Sequence, residues 1–312
     1  MEYLKVLAGF VVLLYSGNYL VKGGVSLAGH FKISSLVVGI TFVSLGTSAP
    51  ELIVSVQAAL KGHPDISIGN VVGSNISNIA LVLAITSIII PIKVSRNSVI
   101  INWPVMMLAS VLFYVFIMNF SLDRWEGIIF ILGLITFLYL SIHNSRKQHF
   151  NSDEEPVKPS QSVGIALLMV LLSCAGLALG ANWLVNGAAT VARNFGVSER
   201  VISVTLIAFG TSVPELATSI IAAVKKELDI SVGNIIGSNI FNLLGVLGIT
   251  ASITPIDVNP NTVRFDVPWM LGISLLLFLF ILPFKGGRLS RLKGIVMLLS
   301  YAAYISLIIT QA

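Results

Sequence analysis

SLGTSAPELIVS at Ser44–Ser55 and AFGTSVPELATS at Ala208–Ser219 are two versions of one segment, and their reading decides the fold. Each holds a glutamate, Glu51 or Glu215, within a long apolar run that contains no Lys or Arg to neutralise it. A charge at bilayer depth costs roughly 2.5–3.5 kcal/mol on insertion scales and more in simulations, so an intramembrane acid points to function by default. The same acid occurs twice, which implies that the chain brings Glu51 and Glu215 together at mid-membrane to hold a cation.

The surrounding composition agrees. Of 312 residues, 55% are hydrophobic and 11% charged, against roughly 25% charged in a soluble domain. The chain reads as an all-α polytopic membrane protein. Its one cysteine, Cys174, excludes an internal disulfide and reads as a small packing residue. The net charge of +5 comes from basic residues scattered through short loops, which suits membrane orientation rather than nucleic-acid binding. Met1–Lys5 lead into an apolar run with no small-residue cleavage site before Gly17, so a retained first span is expected. There is no Gly-rich phosphate loop and no cofactor motif, so neither nucleotide nor enzyme chemistry is expected.

A span needs about 20 apolar residues. Ten are predicted, at approximately 4–27, 36–60, 66–90, 98–119, 125–142, 162–188, 201–224, 230–254, 266–283 and 291–310. The polar stretch 143–160 divides them five and five, giving a first repeat at 1–142, a linker at 143–160 and a second repeat at 161–312. If connections alternate sides, six Lys and Arg fall on one side and thirteen on the other. The positive-inside rule makes the richer side cytoplasmic, with the linker inside and both termini outside. Trp103, Trp125, Trp183 and Trp269 fall near span ends, as interfacial anchors do.

The halves align without a gap at an offset of 164 residues, and twenty of the thirty-three positions in 46–78 and 210–242 are identical. DISIGNVVGSNISN at Asp65–Asn78 matches DISVGNIIGSNIFN at Asp229–Asn242. An odd number of spans per half makes the second enter the membrane from the opposite side, the inverted arrangement of many secondary transporters. Packing alone gives no reason to duplicate a buried acid.

The residue types suit a hard cation. In a helix Thr47, Ser48 and Glu51 share one face. Pro50 cannot donate to the Gly46 carbonyl, so a break with free carbonyls near Ser44 to Thr47 is expected, with Gly46 easing the bend. Ala208, Gly210, Thr211, Ser212 and Pro214 repeat the device around Glu215. Ser74 with Asn78, and Ser238 with Asn242, are i and i+4 on the following span. Carboxylates, hydroxyls, amides and carbonyls without His or Cys favour Ca²⁺, which takes six to eight oxygens, over zinc or copper. Na⁺ could use the same cage. Asp65 and Asp229 are read as helix N-caps.

These paired motifs resemble the two α-repeats of the sodium/calcium exchanger family of cation/calcium antiporters, over essentially the whole chain. The resemblance implies Na⁺/Ca²⁺ antiport by alternating access, without a cofactor, in an inner-membrane monomer. It implies Ca²⁺ ligation by Glu51 and Glu215 with the Thr47 and Thr211 backbone oxygens. Na⁺ would lie near Ser44, Ser48 and Ser74 on one flank and Ala208, Ser212 and Ser238 on the other, with Asn78 and Asn242 central and the first span of each half sliding. Potassium-dependent exchangers, and some prokaryotic ones, have Asp where Asn242 stands. The alternative is an H⁺/Ca²⁺ antiporter of the same fold, but such proteins carry a Glu in the second wall where Val72 and Ile236 stand here.

Overall fold

The computed structural model describes residues 2–150, 159–197, 210–282 and 287–311. Its helices are α1 (Glu2–Phe31), α2a (Ser35–Thr47), α2b (Ala49–Leu60), α3 (Ile66–Ile89), α4 (Ser98–Asn119), α5 (Arg124–Phe150), α6 (Val163–Asn194), α7 (Val213–Val224), α8 (Leu228–Ile253), α9 (Thr262–Ile281) and α10 (Arg291–Gln311). Among the described residues eight are long and apolar enough to cross a membrane. The bent pair α2a–α2b makes a ninth, and α7 is a shorter apolar helix. Residues 201–209, the start of the span expected before α7, lie outside the described residues.

Local chemistry sets the ends. The Ser34 and Ser162 hydroxyls accept from Val37 N–H and Ile165 N–H, capping α2a and α6. Proline sits in the first turn of α2b and α7, where its missing N–H costs nothing. Helix α5 runs on to Phe150, into the stretch expected to be linker. Its added turns have partners: Ser34 N–H donates to Ser145 Oγ at 2.8 Å, and Arg146 Nε donates to the Phe31 carbonyl at 3.1 Å. The cap expectation needs correction. Glu227 precedes α8 while Asp229 lies inside its first turn, and Pro64 holds the corresponding place before Asp65; no side chain caps either helix.

Among the described residues four short strands stitch the halves: β1 (Ile92–Lys93), β2 (Ser121–Leu122), β3 (Ile256–Asp257) and β4 (Arg288–Leu289). Strand β1 pairs antiparallel with β4, and β2 with β3, so each ribbon takes one strand from each half. Trp103, expected at an interface, is instead buried: its indole Nε1 donates to the Ser274 carbonyl at 2.9 Å and its ring stacks on Phe278 at 4.0 Å. The hydrogen bond satisfies the N–H, which lets the ring serve the core.

The apolar interior forms two clusters. The larger draws on α3, α4, α5, α8, α9 and α10, while the smaller centres on α1 and α6 with one side of α2a. Glycine crossings set the geometry, and two bear on the broken helix α2a and on the pair α1–α6. A Cβ on Gly9 would lie 2.7 Å from the Gly180 carbonyl oxygen, so α1 and α6 touch backbone to backbone. A Cβ on Gly233 would lie 2.6 Å from the Leu36 carbonyl oxygen, and one on Gly39 2.7 Å from that of Ile230. This second crossing presses α2a of one half onto α8 of the other.

Gly233→Ala is expected to force α2a and α8 apart and destabilise the protein by about 1–3 kcal/mol, the usual cost of overpacking. Thermal unfolding in detergent checks this, with Gly272→Ala as the control, since a Cβ at Gly272 meets open space.

Candidate functional site

The chain bends by 45° between α2a and α2b. The residue that leaves the helix is Ser48, at φ −88° and ψ 5°, and its counterpart Ser212 has φ −87° and ψ 2°. The break therefore falls two residues beyond Gly46, which stays helical; a Cβ there would collide with Cys174 Sγ, so this pair serves close packing of α2a on α6. Of the carbonyls expected to be free, that of Ser44 still accepts from Ser48 N–H at 2.9 Å.

The bend turns both acids inward. Glu51 and Glu215 are each 0% exposed, and Glu215 is near enough to repel the charge of Glu51. Glu215 Oε1 accepts from Ser48 Oγ at 3.2 Å, reaching across from the other half, and from Ser238 Oγ at 3.4 Å. Neither oxygen of Glu51 has a hydrogen-bond partner, nor has Glu215 Oε2. No Lys, Arg or His among the described residues pairs with either acid. A buried charge without a partner is expensive, and a positive charge placed in the pocket would offset that cost.

The walls come from α3 and α8. Thr47 Oγ1 meets Ser238 Oγ at 3.4 Å, and its mirror Thr211 Oγ1 meets Ser74 Oγ at 3.2 Å. Asn242 Nδ2 donates to Asn75 Oδ1 at 3.2 Å, leaving Asn242 Oδ1 unpartnered, while Asn78 has no partner on either atom. An unmade hydrogen bond on a buried polar group costs about 1–3 kcal/mol, which again favours a ligand. At Asn78 and within Phe241–Leu247 the helices widen into π-turns, a distortion frequent at functional sites. Of the predicted residues, Thr47, Ser48, Glu51, Ser74, Asn78, Thr211, Ser212, Glu215, Ser238 and Asn242 line this junction of the halves. The Ser44 hydroxyl is turned back onto the Ile40 carbonyl of its own helix. Ala208 lies outside the described residues.

Three pairs escaped the sequence reading. Asn70 Nδ2 donates to Ser55 Oγ at 3.0 Å and Asn234 Nδ2 to Ser219 Oγ at 3.1 Å. Asn75 Nδ2 donates to the Asn239 carbonyl at 3.3 Å, on the seam between α3 and α8. All are identical in the two repeats, so a search for duplicated polar residues inside apolar runs would have found them.

The approaches to the site differ. A cavity of about 200 Å³ between α6 and α2b is lined by Pro50, Val54, Asn182, Asn186, Gly210 and Thr211, and so reaches the site. At the mirror position α1 lies against α7: Gly17 faces Ile221, and Lys225 Nζ donates to the Asn18 carbonyl at 3.1 Å. Burial lowers the basicity of Lys225, and Lys22 nearby adds repulsion, with Glu227 opposing both. Val54 is 40% exposed while its repeat partner Thr218 is 0% exposed. One route is open and its mirror is shut.

The sequence model of the sodium/calcium exchanger protein family matches residues 2–143 and 165–310. The sodium/calcium exchanger MaX1 of Methanosarcina acetivorans is 31% identical over 342 residues, covering 97% of each chain. The inner membrane protein YrbG of Escherichia coli is 33% identical over 278 residues, covering 87% of this chain and 86% of its own. The solved structure of the sodium-calcium exchanger NCX_Mj superposes with a TM-score of 0.83 at 31% identity, covering 98% of both chains.

Glu51→Gln is expected to leave the fold intact, because no hydrogen bond of Glu51 is lost. Added Ca²⁺ should raise the thermal midpoint of the unmodified protein by mass action. It should not raise that of Glu51→Gln or Glu215→Gln, as a Ca²⁺ titration of detergent-solubilised protein would read.

Proposed function

The chain belongs to the sodium/calcium exchanger family, and from that premise we propose that it is a secondary antiporter exchanging Na⁺ for Ca²⁺ at a midplane oxygen site. It is an integral multi-pass membrane protein and a transporter, not an enzyme. The observation that carries this proposal is the pair of buried acids, one from each repeat, bridged by the Ser48 to Glu215 hydrogen bond and left without a basic partner among the described residues.

Two carboxylates balance one Ca²⁺, and Thr47, Thr211, Ser74, Ser238, Asn78 and Asn242 supply oxygens for a coordination shell of six to eight. Na⁺ seeks the same oxygens, with flanking positions at Ser44, Ser48 and Ser74 and at Ala208, Ser212 and Ser238. Competition for one ligand set is the simplest basis for exchange. A site with two ionised acids and no cation is costly to carry across the bilayer, whereas either cation load lowers that cost. The protein therefore changes its facing when loaded.

The architecture is ten spans in two inverted repeats of five, with both termini outside and the 143–160 linker in the cytoplasm. The chain works as a monomer in the cell membrane. In this topology the Asn182–Asn186 cavity opens outward and the Lys225–Asn18 contact closes the cytoplasmic side. The pair α1–α6 is joined backbone to backbone at Gly9 and Gly180, which supports its movement as a unit during alternating access.

Sodium rather than proton coupling is supported by the second wall. Val72 and Ile236 are packed in the core where a proton-coupled exchanger would carry a Glu, and the central positions are the amides Asn78 and Asn242. Those amides also speak against K⁺ co-transport.

Reconstituted vesicles should take up Ca²⁺ in response to an outward Na⁺ gradient, with uptake surviving collapse of the pH gradient. Uptake that follows only the pH gradient would assign H⁺/Ca²⁺ exchange instead. Asn242→Asp adds an acid to the centre and is expected to change the Na⁺ or K⁺ dependence of flux more than thermal stability; an unchanged ion profile would remove that amide from the site.

A further inference from the structure

The repeats are identical at GSNI and then diverge: Ser77 stands in the first half where Phe241 stands in the second. Ser77 is 1% exposed and sits against the site. Its hydroxyl lies 2.6 Å from Ser212 Oγ and 3.0 Å from the Ser74 carbonyl oxygen. Giving the Ser77 proton to the Ser74 carbonyl, which can only accept, leaves the short contact to Ser212 to carry the proton of Ser212. Ser212 is left with lone pairs alone for any other partner.

The mirror serine behaves differently. Phe241 has no hydroxyl, and its ring packs over Gly245. Ser48 therefore has no counterpart of Ser77 to take its proton, and it donates to Glu215 Oε1 instead. A cation approaching Ser48 meets a hydroxyl whose proton points at the site's own carboxylate. A cation approaching Ser212 meets an oxygen already oriented as an acceptor. The diversion of Ser212 also explains why Glu51, unlike Glu215, receives no serine proton from the opposite half.

We propose that Ser77 is a positioning residue that holds Ser212 as a pure acceptor, so that the flank formed by Ser212 and Ser238 binds Na⁺ more tightly than its mirror at Ser48 and Ser74. This rests on the Na⁺/Ca²⁺ exchange reading above and adds an inequality between the two flanks that the repeat by itself would forbid.

The test is Na⁺-driven Ca²⁺ flux by the full chain in vesicles, with Na⁺ and Ca²⁺ titrated separately. Ser77→Ala is expected to raise the half-saturating Na⁺ concentration by about two- to tenfold, the worth of one hydrogen bond. The half-saturating Ca²⁺ concentration should shift by less than twofold, and Ser77→Thr, which keeps the hydroxyl, should restore the Na⁺ value. An unchanged Na⁺ value in Ser77→Ala, or an equal shift for both ions without rescue by Ser77→Thr, would overturn the proposal. Wild-type flux indifferent to Na⁺ would overturn the coupling reading itself, and this inference with it.

Discussion

Two carboxylates buried side by side, without a basic partner among the described residues, are the constraint on which the rest of this structure depends. Each must be desolvated, and each repels the other. The features near them hold that arrangement in place. The break at Ser48 turns Glu51 inward. The Gly39 and Gly233 crossing brings α2a of one half within hydrogen-bonding reach of α8 of the other. The Asn70–Ser55 and Asn234–Ser219 bonds fasten each broken helix to the wall that follows it.

The duplication is close but not complete, and its departures carry information. Mirror-related hydrogen bonds recur at nearly equal lengths, as between Ser67 and the Ser55 carbonyl at 2.8 Å and between Ser231 and the Ser219 carbonyl at 3.0 Å. These bonds belong to the frame. The inequalities lie at the acids, at Ser77 and Phe241, and along the approaches, where α1 seals against α7 while α6 stands off α2b. A duplicated chain that opens its site to one side at a time must be asymmetric in this way, since symmetric access would be a channel.

Much of this was legible in the residues. The apolar runs announced the helices, because a chain in lipid has few other ways to satisfy its backbone. The repeated GTSxPE segments announced the acids, since no packing requirement duplicates a buried charge. What misled were residues whose role depends on a neighbour distant in sequence. Gly46 looks like a hinge until Cys174 is placed beside it, Trp103 looks like an interfacial anchor until Ser274 is found to accept its indole proton, and α5 outruns its apolar pattern because Phe31 and Ser34 hold Ser145 and Arg146.

The amino-acid sequence by itself determined that this is a duplicated membrane protein with an acid in each half and oxygen-bearing residues around it. Hydropathy, charge and internal identity are properties of the chain, independent of how it is folded. Only the tertiary structure decided which acid is hydrogen-bonded and which is bare, which amides have no partner, and which approach is open. Those depend on distances between residues about 140 to 190 positions apart, and a hydrogen bond that fades within half an ångström cannot be read from spacing along the chain.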